Sequence, residues 1–321
     1  MCPWFEKIRA EKQEILKFKG IEIMSDYKKY LDPQVVAKIS NLELVARLVV
    51  EGFVAGMHKS PYRGFNVEFA EHRQYNPGDE IRYIDWRVWA KRDKYYVKQF
   101  EEETNLKCHI ILDKSASMGY SSGKVSKLMY GVYLTSALSY LMLNQRDSVG
   151  LTTFDKDIRT YLPPRGQPAY LKEILNSLDN IKPEEKTDLS FVLHRMADKI
   201  KRRALIIVIS DFMDDTKGVI TGLKHLRHKK HEVIVFHLMD TQEKEFNFND
   251  PVEFVDLESN EILKTDPNII RSVYRRRIEG FIKDFKNQCG GAAIDYSLLL
   301  TSVPFDEALS FYLAKRKRRV R

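Results

Sequence analysis

From residue 107 onward, short apolar runs alternate with stretches of helical periodicity. Cys108–Leu112 runs into Asp113, Val149–Phe154 forms a second such run, Ala204–Ile209 a third, and Glu232–Met239 a fourth. Runs without polar alternation suit strands buried on both faces, and helices between them are the crossovers of a mostly parallel sheet. Residues Ile158 to Leu162 are placed to pair with the second run. Helices are expected over about 168–179 and 188–202, up to about 229, from Pro267 to about Gln288, and after Pro304, with a short strand near Ala293–Tyr296. The expected fold is therefore α/β, a doubly wound, mostly parallel sheet of Rossmann-like type.

The preceding region is patterned differently. A helix starting at Asp32-Pro33 carries the stripe Val35, Val36, Ile39, Leu42, Leu44, Val45, Leu48 and Val49. Over 56–104, Gly56, Pro61, Gly64 and Asn76-Pro77-Gly78-Asp79 punctuate segments rich in Phe, Tyr, Trp and Val, the pattern of a few antiparallel strands. The expected organisation is an N-terminal helical plus β accessory region, 1–104, followed by an α/β domain with a basic C-terminal tail, 105–321.

Between Lys127 and Arg146 there is no charged residue, a length that just reaches a membrane span. Tyr130, Tyr133, Thr135, Ser136, Ser139 and Tyr140 make it too polar, and its place between two strands predicts a buried core helix. The first twenty residues are charged throughout and offer no apolar export segment. Cys2, Cys108 and Cys289 form neither a metal spacing nor a disulfide framework, which fits a reducing compartment. The expectation is a cytoplasmic protein, with a peripheral position at the inner membrane as the alternative.

A net charge of +8 suits acidic partners, nucleic acid or anionic membrane and selects none of them. Basic clusters at Lys201–Arg203, Arg227–Lys230 and Arg275–Arg277 read as solvated charge on helices. The tail from Lys315 to Arg321 offers weak contact with anionic lipid. No helix-turn-helix, zinc-finger or RNP-like pattern supports specific nucleic-acid binding.

Chemistry concentrates where strands end. Asp113, Ser115 and Ser117 alternate in a loop leaving a strand and can turn three hard oxygen ligands toward one point. Thr187, at the head of a helix, and Asp211, after the next strand, can join them from neighbouring loops. Two carboxylates and three hydroxyls leave Mg²⁺ or Mn²⁺ incompletely neutralised, so a partner's Asp or Glu can complete its coordination. Taken singly, each motif is ordinary turn and N-cap chemistry. An enzyme using Asp113 as a phosphorylated nucleophile with Mg²⁺ would want a second acid two residues on, where Ser115 stands. No phosphate-binding G-x-x-x-x-G-K-[ST] loop and no H-E-x-x-H occurs, and the expectation is a non-enzyme.

The Asp113–Ser117 segment, Thr187 and Ser210-Asp211 resemble the metal-ion-dependent adhesion site of von Willebrand factor A domains. The blocks from Glu68 to Trp86 and from Tyr96 to Glu103 resemble the hallmark of the domain-of-unknown-function 58 family. That resemblance implies a von Willebrand factor A-like fold and a partnership with a MoxR-type AAA+ ATPase in protein maturation, metal insertion or stress tolerance. Lys186 and Lys91 depart from the family pattern, as does the lack of membrane helices near the N-terminus; the five presumed metal ligands are all kept. In the upstream block, Glu71, Arg73, Asp79, Arg82 and Asp85 are read first as ion pairs holding the β element. Arg73, Asp79, Arg82, Asp85 and Trp86 form the alternative, a docking surface for the ATPase. Trp86 and Trp89 are expected to be core anchors.

Overall fold

The four apolar runs become the four inner strands of one sheet, where both faces of each strand are covered. The structure, a computed structural model, describes residues 32–38, 41–57, 69–75, 86, 88–89, 95–100, 106–184, 187–248, 252–255, 257 and 262–319. In the N-terminal part the elements are α1 (Pro33–Val36), α2 (Leu42–Met57), β1 (Phe69–Gln74) and β2 (Tyr96–Phe100). The sheet region begins with β3 (Lys107–Asp113), α3 (Lys127–Asn144), β4 (Ser148–Phe154), β5 (Ile158–Arg165), α4 (Tyr170–Asp179) and α5 (Leu189–Lys199). It continues with β6 (Leu205–Ser210), α6 (Thr216–His228), β7 (Glu232–Met239), α7 (Thr241–Glu245), β8 (Val252–Val255) and β9 (Ile262–Thr265). Last come α8 (Pro267–Gly291), β10 (Asp295–Leu300) and α9 (Asp306–Arg319).

The main sheet has six strands in the order β10-β7-β6-β3-β4-β5. All neighbours are parallel except β4 and β5. This is the doubly wound class that the apolar runs predict. Strand β5 sits at the edge, and its Pro163 and Pro164 have no N–H to offer a further strand. The β4–β5 register slips between Val149 and Leu151. Gly150 stands at that slip, where a Cβ would lie 2.6 Å from the Leu162 carbonyl oxygen and 2.7 Å from the Pro164 nitrogen.

Alternate residues of each strand feed two cores. Ile110, Leu112, Leu151, Ile207, Ile209 and Phe236 face α3, α4 and α9; Ile111, Ile206, Val208, Val233 and Val235 face α5, α6 and α8. Helix α3, the uncharged stretch, is buried along most of its length. Among the described residues no helix is long and apolar enough to cross a membrane. Val45, Val49 and Val50 of α2 belong to the same core as α3 and α4. The single helix expected from Asp32 is two: Asp32 caps α1 through the Gln34 N–H at 2.8 Å, and Asn41 captures the N–H groups of Glu43 and Leu44 at 2.9 and 3.1 Å.

Strands β1 and β2 pair antiparallel, as the region's composition suggests. The turn at 76–79, with Asp79, Arg82 and Asp85, lies outside the described residues, as does the side chain of Arg73. The two tryptophans overturn their expected role. Trp86 is 53% exposed and Trp89 37%: Trp86 packs edge to face on Trp89 and Tyr95, and Trp89 stacks on Tyr95, instead of entering the core. The periodicity also gave no hint of the β8–β9 hairpin between β7 and α8.

Two tests follow from this packing. Gly150→Ala drives a methyl into backbone and should lower stability by about 2 kcal/mol in denaturant melts; an unchanged midpoint would contradict the close approach. His109, on β3, is buried, and burial, with His231 and Lys107 adding to it, pushes its pKa down to about 4 from 6.5. Above pH 6.5 it is neutral folded or unfolded; between 6.5 and about 4 only the unfolded chain takes the proton. Stability should therefore drop by about 1.4 kcal/mol for each unit that the pH is lowered through that window, from this group alone. The stability curves of wild type and His109→Leu should diverge by that slope, and parallel curves would refute the assignment.

Candidate functional site

The chain leaves β3 toward β4 on one side and leaves β6 toward β7 on the other, so strand order reverses between β3 and β6. Doubly wound sheets open a crevice at such a point, beyond the carboxyl ends of the strands. Four parallel strands reach an acid there: Asp113 ends β3, and Asp155, Asp211 and Asp240 directly follow β4, β6 and β7.

Asp113 is fully buried; its Oδ1 accepts the Ser115 N–H at 2.8 Å and its Oδ2 accepts the Ser210 hydroxyl at 2.6 Å. Ser115 opens a single 3-10 turn, Ala116–Gly119, and its hydroxyl lies 3.1 Å from that of Ser117. The Ser117 hydroxyl lies close enough to the Asp211 carboxylate to favour its ionised form. Three of the five residues singled out from the sequence, Asp113, Ser115 and Ser117, are thus joined in one hydrogen-bonded chain, with Asp211 beside it. The backbone turns sharply after Asp211: Phe212 has φ 54°, a left-handed conformation that costs a bulky residue energy, and its N–H is held by Ser210 Oγ at 2.9 Å.

Thr187 comes from a segment pinned over the same end of the sheet. The Glu184 N–H bonds the Lys114 carbonyl at 3.0 Å and the Asp188 N–H bonds the Asp155 carbonyl at 3.2 Å. The Leu189 N–H bonds Asp214 Oδ2 at 3.0 Å. Asp188 caps α5 through the Phe191 N–H, so Thr187 is not spent as the cap. Its hydroxyl is buried and has no hydrogen-bond partner among the described residues. A buried hydroxyl without a partner is uncommon and asks for a ligand, ion or water.

The two carboxylates are not equivalent. Burial, then the nearby Asp211 charge, push Asp113 well above the ordinary carboxylate range. Burial opposes ionisation of Asp211 too, but Lys127 outweighs it and holds Asp211 below that range. The Lys127 ammonium donates to Asp211 Oδ2 at 2.8 Å and to Glu243 Oε1 at 2.7 Å, and is 1% exposed. Burial alone would discharge it, yet Asp211 and Glu243 hold it above the usual lysine range. No cation is described in an ion pair with Asp113. Chemically, Asp113, Ser115, Ser117, Thr187 and Asp211 offer a hard-oxygen set suited to a small divalent cation.

Lys127 and Glu243 escaped the reading of the sequence, and Ser210 entered it only as the neighbour of Asp211. Lys127 had a trace there, as the one charge opening a helix expected to be buried. Glu243 had one in Asp240-x-x-Glu243, a capping box in which Asp240 Oδ1 accepts the Gln242 N–H at 2.8 Å and Glu243 accepts the Asp240 N–H at 2.9 Å.

The sheet order and the acids at its switch point define a doubly wound, mostly parallel α/β domain. The chain belongs to the family described as protein of unknown function DUF58, whose model matches residues 71–282. It is 24% identical over 294 residues to the uncharacterized protein Rv1480 of Mycobacterium tuberculosis, covering 89% of this chain and 91% of that one. Among solved structures it is similar to BatB from Bacteroides thetaiotaomicron, with a TM-score of 0.47, 20% identity, and coverage of 66% of this chain and 99% of that one. It is also similar to the SpRpn10 VWA domain, with a TM-score of 0.36, 11% identity, and coverage of 64% and 94%.

Because the Thr187 hydroxyl is buried without a partner, Thr187→Val should leave the metal-free protein as stable or up to about 1 kcal/mol more stable. A clear loss of stability in EDTA would mean that the hydroxyl is satisfied within the chain.

Proposed function

We propose that this protein is a metal-ion-dependent protein-interaction module. It holds Mg²⁺ or Mn²⁺ through Asp113, Ser115, Ser117, Thr187 and Asp211, and the ion takes a partner's Asp or Glu as a further ligand. The observation that carries this reading is the pairing of Asp113, a buried carboxylate with no described counter-cation, with Thr187, a buried hydroxyl with no partner. Both lie at the carboxyl end of the sheet, and a divalent ion would satisfy both. Among the described residues no group of three or more His, Cys, Asp and Glu side chains could hold a metal, so the ion relies on hydroxyls as much as carboxylates. Such an ion stays electrophilic and keeps coordination positions for an outside ligand.

The ion would supply a positive anchor for a carboxylate, and the module would carry out no catalysis of its own. The partner we propose is a MoxR-type AAA+ ATPase, in protein maturation or stress tolerance, with the cytoplasm as the site of action. This rests on the family and on the resemblance of its hallmark blocks. The basic tail gives at most a weak accessory contact with anionic lipid.

Mg²⁺ at about 100 times its Kd should stabilise wild type by about 2.7 kcal/mol, and Asp113→Ala and Thr187→Val by much less. In a pull-down from lysate of the source organism, an AAA+ ATPase should be retained by wild type with Mg²⁺ and lost with EDTA or Asp113→Ala. The same partners in every arm would remove the metal from the interaction. A phosphatase activity abolished by Asp113→Asn would replace the module with an enzyme.

A further inference from the structure

Lys127 occupies a place that is unfavourable on two counts. It is the first residue of α3, where the helix dipole repels a cation, and it is buried. A buried ion pair seldom stabilises a fold more than an apolar side chain of the same size would. The position therefore asks for a role beyond packing. Its two acceptors show what that role acts on. One is Asp211, in the oxygen cluster, and the other is Glu243, which completes the capping box of α7.

The consequences for the cluster are geometric and electrostatic. One oxygen of Asp211 is engaged by the ammonium at 2.8 Å, and the other accepts the Met213 N–H at 3.3 Å. Asp211 is thereby kept from chelating an ion with both oxygens, which leaves the ion more open positions. Among the described residues, the acids of the cluster and the group that Lys127 joins comprise three carboxylates, Asp113, Asp211 and Glu243, and one ammonium. With a divalent ion they sum to zero. Without Lys127 the loaded site would already be negative before an anionic ligand arrived.

We propose that Lys127 is the positioning residue that sets ligand choice at this site: it restrains Asp211 and cancels one carboxylate charge, so that the loaded ion accepts a carboxylate. This deepens the metal-dependent reading above and rests on it. Glu243 is the opposing weight, because it shares the ammonium and returns a negative charge. The two residues therefore act with opposite sign.

The experiment measures Mn²⁺ binding by electron paramagnetic resonance, then acetate binding to the Mn²⁺-loaded protein by relaxation of its methyl protons. Lys127→Met should bind Mn²⁺ about tenfold tighter and acetate about tenfold weaker. Glu243→Gln should do the reverse, with Mn²⁺ weaker and acetate tighter by a similar factor. A purely structural tether would weaken Mn²⁺ in both variants and leave acetate unmoved, which overturns the proposal. If wild type binds no Mn²⁺, the metal reading itself fails and this inference with it. If wild type binds Mn²⁺ and neither variant shifts either ligand, the inference alone fails. Should Lys127→Met not fold, Glu243→Gln decides, since its side chain is partly solvent-exposed and its expected signs are opposite to those of a lost tether.

Discussion

Parallel strands buried on both faces must end together, and the groups that end them are forced into one crevice. Here that constraint brings Asp113 and Asp211 to adjacent strand ends inside the protein, close enough that Asp113 feels the Asp211 charge. Two buried carboxylates in that position need positive charge. Lys127 supplies it to Asp211, whereas Asp113 has only N–H and O–H donors. The asymmetry organises the rest of the site: Ser115 and Ser210 donate to Asp113, Ser117 joins Ser115, and Phe212 is tied back to Ser210 in a left-handed turn.

The other acids on this rim do different work. Asp155 is closed off by Arg159 at 2.7 and 2.8 Å, with Lys114 at 3.9 Å. Asp240 takes the Ser122 hydroxyl at 2.5 Å and the Thr301 hydroxyl at 3.2 Å while capping α7. Both are clamps that fix loops, which is the ordinary role of an acid after a strand. The distinction between a clamp and a candidate ligand thus lies in what already satisfies the carboxylate, and residue type alone does not make it. Asp240 and Glu243 also tie α7 to the loop before α3, so the ammonium of Lys127 sits where three loops of the rim converge.

The doubly wound sheet thus carries its cluster of acids and hydroxyls at the switch point, beyond the ends of β3 and β6. The exposed aromatic group of Trp86, Trp89 and Tyr95 is a separate surface, held together by ring contacts. It lies in a region where charged residues of the hallmark block are outside the described part of the chain, and no role is attached to it.

Much of this was legible in the chain itself. Continuous apolar runs dictated strands covered on both faces, and the lack of charge after Lys127 dictated a buried helix, because periodicity and burial are local consequences of side-chain type. Asp113, Ser115, Ser117, Thr187 and Asp211 could be named for the same reason: strand ends and loop heads are readable, and a parallel sheet gathers them at one edge. Only the tertiary structure decided which acids were already satisfied, that the Thr187 hydroxyl had no partner, and that the lysine opening α3 reached a strand end 84 residues away. Those facts depend on contacts between distant segments. The same is true of Trp86 and Trp89, whose size suggested a core and whose neighbours left them exposed. Sequence fixes what a residue can do, and packing across the fold fixes what it is left free to do.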